Sequence, residues 1–101
     1  MQFDHVSVGK KANVYFDGKC VSHTVTLADG TRKSVGVILP STLRFDLSTR
    51  EVMEVVDGTA YVSVNGGSEQ PFAAGQSWTV EAGGYFVIRA ELPVHYVCHF
   101  D

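Results

Sequence analysis

Apolar runs in this sequence are only a few residues long, far short of the roughly 20 that a membrane-crossing helix needs. Positive charge is scarce as well. Eight Lys and Arg against eleven Asp and Glu leave a net charge of −3, which offers little to a nucleic acid or an anionic membrane surface. No basic-then-apolar leader opens the chain, so secretion is not indicated. Cysteine is limited to Cys20 and Cys98. The two stand far apart in strand-like surroundings, and a disulfide between them is open in principle. In a leaderless chain, two buried thiols and a cytoplasmic protein are the expectation. Linkers, repeats and low-complexity tracts are absent, as is any helical period sustained over ten residues. With 101 residues, the expectation is one domain, residues 1–101, whose single core buries about 65% of the unfolded surface.

What is present is a succession of short strands divided by turn residues. Residues 1–12 show no clear period, and Val6 and Val8 fit an edge strand or a loop equally well. Asn13 to Phe16 reads as a short strand closed by Asp17-Gly18. The segment CVSHTVTL then alternates, with Val21, His23, Val25 and Leu27 on one face and Cys20, Ser22, Thr24 and Thr26 on the other. After Asp29-Gly30 comes KSVGVIL, in which Gly36 predicts a bend or a close backbone approach. LRFDL alternates again, setting Leu43, Phe45 and Leu47 against Arg44 and Asp46. TAYVSVNGGSEQPF reads as a hairpin turned at Asn65-Gly66-Gly67, and strands over Val52–Val56, Ser77–Val80, Tyr85–Ile88 and Val94–Phe100 complete the set. The fold class is all-β, a sandwich or barrel.

The four histidines do not converge on a metal. His95 and His99 share a face of the last strand but lie about 13 Å apart along it, too far to bind one zinc with ligand distances near 2 Å. They are expected at the surface, with Tyr96, Cys98 and Phe100 facing the core. His23 reads as a satisfied core or edge histidine, and His5 lies in the unpatterned leader. Cys98, between aromatic residues, is expected to be a small core hydrophobe rather than a nucleophile.

The segment from Phe45 to Phe86 carries a recognisable spacing. Glu51 is followed after six residues by Gly58, and Gly75 after seven by Gly83, with Phe86 beyond it. This resembles the two motifs of the cupin superfamily: His-x-His, a short gap, Glu, six residues, Gly, and then Gly, five residues, Pro-x-Gly, two residues, His. In that frame Phe45, Leu47 and Phe86 occupy the three histidine places and cannot bind a cation; only Glu51 keeps a ligand-type side chain. The resemblance implies a cupin-like jelly-roll barrel without a metal site. It also places Glu51 inward, where walls of Phe45, Met53 and Phe86 would raise its pKa unless donors surround it. A structural carboxylate bonded to backbone amides is the competing reading.

More narrowly, the chain resembles the small single-domain pyrimidine/purine nucleoside phosphorylases. The residues that carry this are Arg32, Ser34 to Val37, Phe45, Glu51, Met53, Gly58, Ala74-Gly75, Val80, Phe86, Pro93 and Tyr96 to Cys98. The resemblance implies a metal-independent, cofactor-free homodimer that cleaves purine and pyrimidine nucleosides with phosphate, giving free base and pentose 1-phosphate. Glu51 would face the developing oxocarbenium charge. Arg32 would hold phosphate, and Ser34, Met53, Phe45, Phe86 and Tyr96 would contact substrate, the aromatic rings tolerating any base. Glu81 stands where the family usually has proline, and residues 82–85 depart from its pattern at what is expected to be the barrel mouth. A non-catalytic small-molecule-binding cupin is the alternative. The missing ligands argue against a metal-dependent oxygenase or isomerase.

Overall fold

A computed structural model describes residues 1–100. Their eleven strands are β1 (Ser7–Val8), β2 (Asn13–Tyr15), β3 (Cys20–Thr26), β4 (Arg32–Ile38), β5 (Ser41–Asp46), β6 (Glu51–Asp57), β7 (Thr59–Val64), β8 (Gln70–Ala73), β9 (Ser77–Val80), β10 (Tyr85–Ala90) and β11 (Val94–His99). One 3-10 turn, Phe16–Gly18, is the only helical element among the described residues. Seven strands form one sheet in the order β1-β3-β4-β11-β6-β9, with β2 also paired to β3; the other sheet runs β5-β10-β7-β8. All pairings are antiparallel. The jelly-roll expectation holds, and the uncertain leader supplies a two-residue edge strand.

Turn chemistry explains much of the path. The β7–β8 hairpin reverses at Asn65 (φ 50°) and Gly66 (φ 76°), both left-handed, as a tight turn matching strand twist requires. Asn65 also ties this turn to β10, its side-chain oxygen accepting from the Tyr85 amide at 2.9 Å. Pro71 is tolerated because β8 is an edge strand.

The core lies between the sheets. Phe86, Ile88, Val62, Val55, Ile38 and Val94 are at most 1% exposed. Ring contacts knit its centre: Phe86 meets Trp78 edge-on at 5.6 Å and stacks on Phe45 at 5.1 Å. In β3 the inward face is the one with less hydrocarbon. Cys20 and Ser22 are buried, while Val21 and His23 turn outward. Val25, on the outward face, is nonetheless buried, and its register partner in β1 is Val8. His23 is a satisfied histidine on the outward face of an inner strand, its Nδ1 3.0 Å from the Gly9 carbonyl. Both cysteines are buried thiols, and they are not joined in a disulfide.

Gly36 is a close approach rather than a bend. A β-carbon there would lie 2.6 Å from the Val21 carbonyl oxygen and 2.9 Å from the Tyr96 hydroxyl. The missing side chain leaves room for the Tyr96 hydroxyl, which reaches across β4 to Cys20 of β3.

Candidate functional site

Between the sheets a cavity of about 220 Å³ opens at the end where β4, β6 and β10 begin and β5 and β11 end. That is more than ten times the roughly 15 Å³ that admits one water molecule. Its two walls differ in chemistry. The four-stranded sheet contributes Asp46 at the end of β5 together with Phe45 and Phe86, which are register partners and stack with an interplanar angle of 19°. The seven-stranded sheet contributes Glu51, Met53, Tyr96, Cys98, Ser34 and Ser22. One wall is aromatic. The other presents hydroxyls, a thiol and a carboxylate.

Register builds the polar wall. Cys98 of β11 pairs with Met53 of β6 on one side and Ser34 of β4 on the other, and Ser34 pairs with Thr24 of β3. Alternation along β6 then puts Glu51 on the same inward face as Met53. The Cys98 thiol donates to Glu51 Oε1 at 3.3 Å. Burial raises the Glu51 pKa above its ordinary value, and the thiol hydrogen bond opposes that shift. Deeper in, the Tyr96 hydroxyl sits 3.4 Å from Cys20 Sγ. Burial, reinforced by that contact, pushes the Tyr96 pKa far upward, so the group remains a neutral phenol.

The structure thus gathers Glu51, Ser34, Phe45, Met53, Phe86 and Tyr96 around one cavity. It does not bring Arg32 into the lining. Arg32 is the first residue of β4, exposed, on the same face as Ser34 and two residues nearer the open end. Arg44, Arg50 and Arg89 are each ion-paired, to Asp46, Glu81 and both Glu69 and Glu91 respectively. Among the described residues, no ion pair engages Arg32. The turn at residues 82–85, expected at the mouth, contributes nothing to the lining. The Gly83 amide and Gly84 carbonyl are instead bonded to the Leu47 backbone, and Glu81 turns outward to Arg50 at 3.3 Å.

Sequence reasoning missed Cys98, Ser22, Tyr15 and Asp46 as parts of the lining. Cys98 was expected as core filler, and only the β6–β11 register reveals that it touches Glu51. Ser22 lay on the face with less hydrocarbon, which an apolar-inside reading passes over. His99 is not a ligand of the cavity. It lies on the outer side of β11, its ring nitrogens 2.7 Å from Lys33 Nζ and 2.9 Å from Glu54 Oε1. The places of the cupin histidines hold Phe45, Leu47 and Phe86, which carry no donor atom.

Comparison with known proteins fixes the lineage. The family model described as pyrimidine/purine nucleoside phosphorylase matches residues 10–100. This chain belongs to that family. Proteins named pyrimidine/purine nucleoside phosphorylase from Thiobacillus denitrificans and Dechloromonas aromatica are 60% and 58% identical to it, each alignment covering 98% of this chain and 97% of the relative. A crystal structure of a protein of unknown function from Acinetobacter sp. ADP1 superposes with a TM-score of 0.96 at 45% identity, covering 99% of this chain and 98% of that one. An RmlC-like cupin from Shewanella frigidimarina superposes with a TM-score of 0.73 at 16% identity, over 98% of this chain and 91% of that one. That likeness concerns the fold alone. This member of the family therefore has a cupin-like fold, and two of the three histidine places hold the stacked rings.

Proposed function

We propose that this member of the family cleaves purine and pyrimidine nucleosides with inorganic phosphate, without a metal ion, to free base and pentose 1-phosphate. The observation that carries the reading is the position of Glu51, a half-buried carboxylate on a cavity wall that faces two stacked phenylalanines. In phosphorolysis the glycosidic C1′–N bond breaks with its electron pair going to the base. A phosphate oxygen bonds to C1′, and the proton of hydrogen phosphate ends on the base. Positive charge builds on the sugar ring between the two events. A fixed carboxylate in a poorly solvated wall stabilises that charge more than it would in water.

Phe45 and Phe86 offer flat, non-directional contact, which supports broad base specificity: with few hydrogen bonds to the base, few bases are rejected. The cavity lining holds two carboxylates, Glu51 and Asp46, and no cation, so phosphate is expected at the mouth. Arg32 is the cation for it, exposed and uncommitted to any carboxylate among the described residues. The outward valines Val21 and Val35, the latter 38% exposed, support a homodimer through the seven-stranded sheet. Two buried thiols suit a reducing cytoplasm.

Incubating the purified protein with inosine and with uridine, each with and without phosphate, tests the reading. Base release from both, dependent on phosphate, is expected. Tight nucleoside binding without base release would replace the phosphorylase with a binding module.

A further inference from the structure

Ser34 stands out on the polar wall. It is 8% exposed, lines the cavity, and its hydroxyl makes no hydrogen bond with the described residues. A hydroxyl that faces a cavity without a protein partner is free to bond whatever fills that cavity, water or ligand. Its neighbours are already engaged. Cys98 donates to Glu51, Tyr96 lies against Cys20, and Asn13 Nδ2 donates to Ser22 and Thr24, each at 3.3 Å. Two hydroxyl-bearing residues of this lining make no side-chain hydrogen bond with the described residues: Tyr15, which is 48% exposed, and Ser34, the buried one.

We propose that Ser34 binds a hydroxyl of the pentose, so that the sugar lies along the Glu51–Cys98–Ser34 row and the base points at the Phe45–Phe86 stack. The assignment rests on the phosphorylase reading and orients the substrate within it. Ser34 is the register partner of Cys98, so its Cα lies about 5 Å from that of the residue that holds Glu51. Glu51 and Ser34 stand on β6 and β4, with β11 between them, but the Glu51 carboxylate reaches over β11 to the Cys98 thiol. If that carboxylate faces the anomeric carbon, Ser34 is one strand beyond the contact, on the side of the ring's hydroxyl-bearing edge. The opposite wall offers those hydroxyls only Asp46, an exposed carboxylate already ion-paired with Arg44. Laying the sugar there would leave both it and Ser34 unsatisfied, whereas a base loses little against phenylalanine. Burial of the paired sugar also explains how a site tolerant of many bases retains affinity: the constant part of every nucleoside is what the polar wall recognises.

The test is calorimetric titration of wild type and Ser34→Ala with uridine, ribose 1-phosphate and uracil. Uridine and ribose 1-phosphate are expected to bind the variant about tenfold more weakly, the scale of one net hydrogen bond, with uracil unchanged. Purine and pyrimidine nucleosides should lose kcat/KM by the same factor. Since the hydroxyl holds no protein group, the variant should melt with wild type, and Ser34→Cys, which keeps a weak donor, should fall between. Uracil weakened as much as ribose 1-phosphate, ribose 1-phosphate unaffected, or an early-melting Ser34→Ala would each overturn the assignment. A wild type that binds all three ligands yet releases no uracil with phosphate would refute the phosphorylase reading alone, and the titration would still decide the sugar subsite. A wild type that binds none of them overturns both.

Discussion

Replacing Gly36 with alanine tests how the polar wall is assembled. The new β-carbon would meet the Val21 carbonyl oxygen at 2.6 Å, Ser22 Cβ at 2.8 Å and the Tyr96 hydroxyl at 2.9 Å. Ordinary contact begins at 3.4 Å, so the shortfall against the carbonyl is 3.4 − 2.6 = 0.8 Å. That carbonyl belongs to β3, which is held in register with β4 over seven residue pairs. It cannot swing aside as a side chain tip would, so the strands must part or Tyr96 must lift. Overpacking of this kind costs about 1–3 kcal/mol, offset by up to about 1 kcal/mol from the stiffer unfolded chain. A net loss near 1–2 kcal/mol corresponds to a fall in Tm of roughly 5–15 °C for a domain of this size. Tyr96 displaced toward the cavity would also raise KM. Paired thermal melts and steady-state phosphorolysis measure both. A Gly36→Ala protein that melts with wild type would refute the argument that this glycine is required by the approach of β3 and Tyr96.

Three further outcomes are expected. Cys98→Ala removes the donor that opposes desolvation of Glu51, so the Glu51 pKa rises and the acid limb of the kcat/KM profile moves to higher pH. Cys98→Ser should hold the limb near its wild-type position, and an unmoved limb in Cys98→Ala would show that the thiol has no influence on Glu51. Arg32→Ala should raise KM for phosphate at least tenfold while changing KM for nucleoside little; equal effects on both would remove Arg32 from the phosphate site. Dialysis against EDTA should leave turnover intact, and a loss restored by added zinc, iron or manganese would contradict a metal-independent reaction.

The fold was largely legible because its punctuation is local. Asn65-Gly66 and Asp29-Gly30 can do little but turn, and the segments between them alternate. The position of Glu51 was legible through its spacing to Gly58. The rest depends on which face of each strand points inward and which strands lie side by side. In β3, alternation separated two faces correctly but could not say that the valine face turns outward, because the interior at this point is a cavity that tolerates Ser22. Cys98 and Glu51 are 47 residues apart, and their contact follows only from the β6–β11 register, which shifts between His95 and Tyr96. The 82–85 turn leads into β10 at the open end without lining the cavity, and the backbone bonds that tie it to Leu47 are invisible in the side-chain pattern.

The central claim, that Glu51 stabilises charge formed during glycosidic cleavage, is tested most directly by the turnover of Glu51→Gln. The amide keeps shape and can still accept from the Cys98 thiol, but it carries no charge. A loss in kcat of roughly 10²-fold or more is predicted, the scale of one transition-state electrostatic contact, with nucleoside affinity much less affected because the charge develops only on the way to products. Stability should move the other way. Because burial raises the Glu51 pKa, the folded state binds this proton more tightly than the unfolded chain. Its contribution to stability is therefore greatest at low pH and declines as pH rises from the ordinary glutamate value through the raised one. At neutral pH the buried charge is a cost that glutamine removes, and the variant should melt at or slightly above wild type. A Glu51→Gln protein that melts early yet turns over normally would contradict the account.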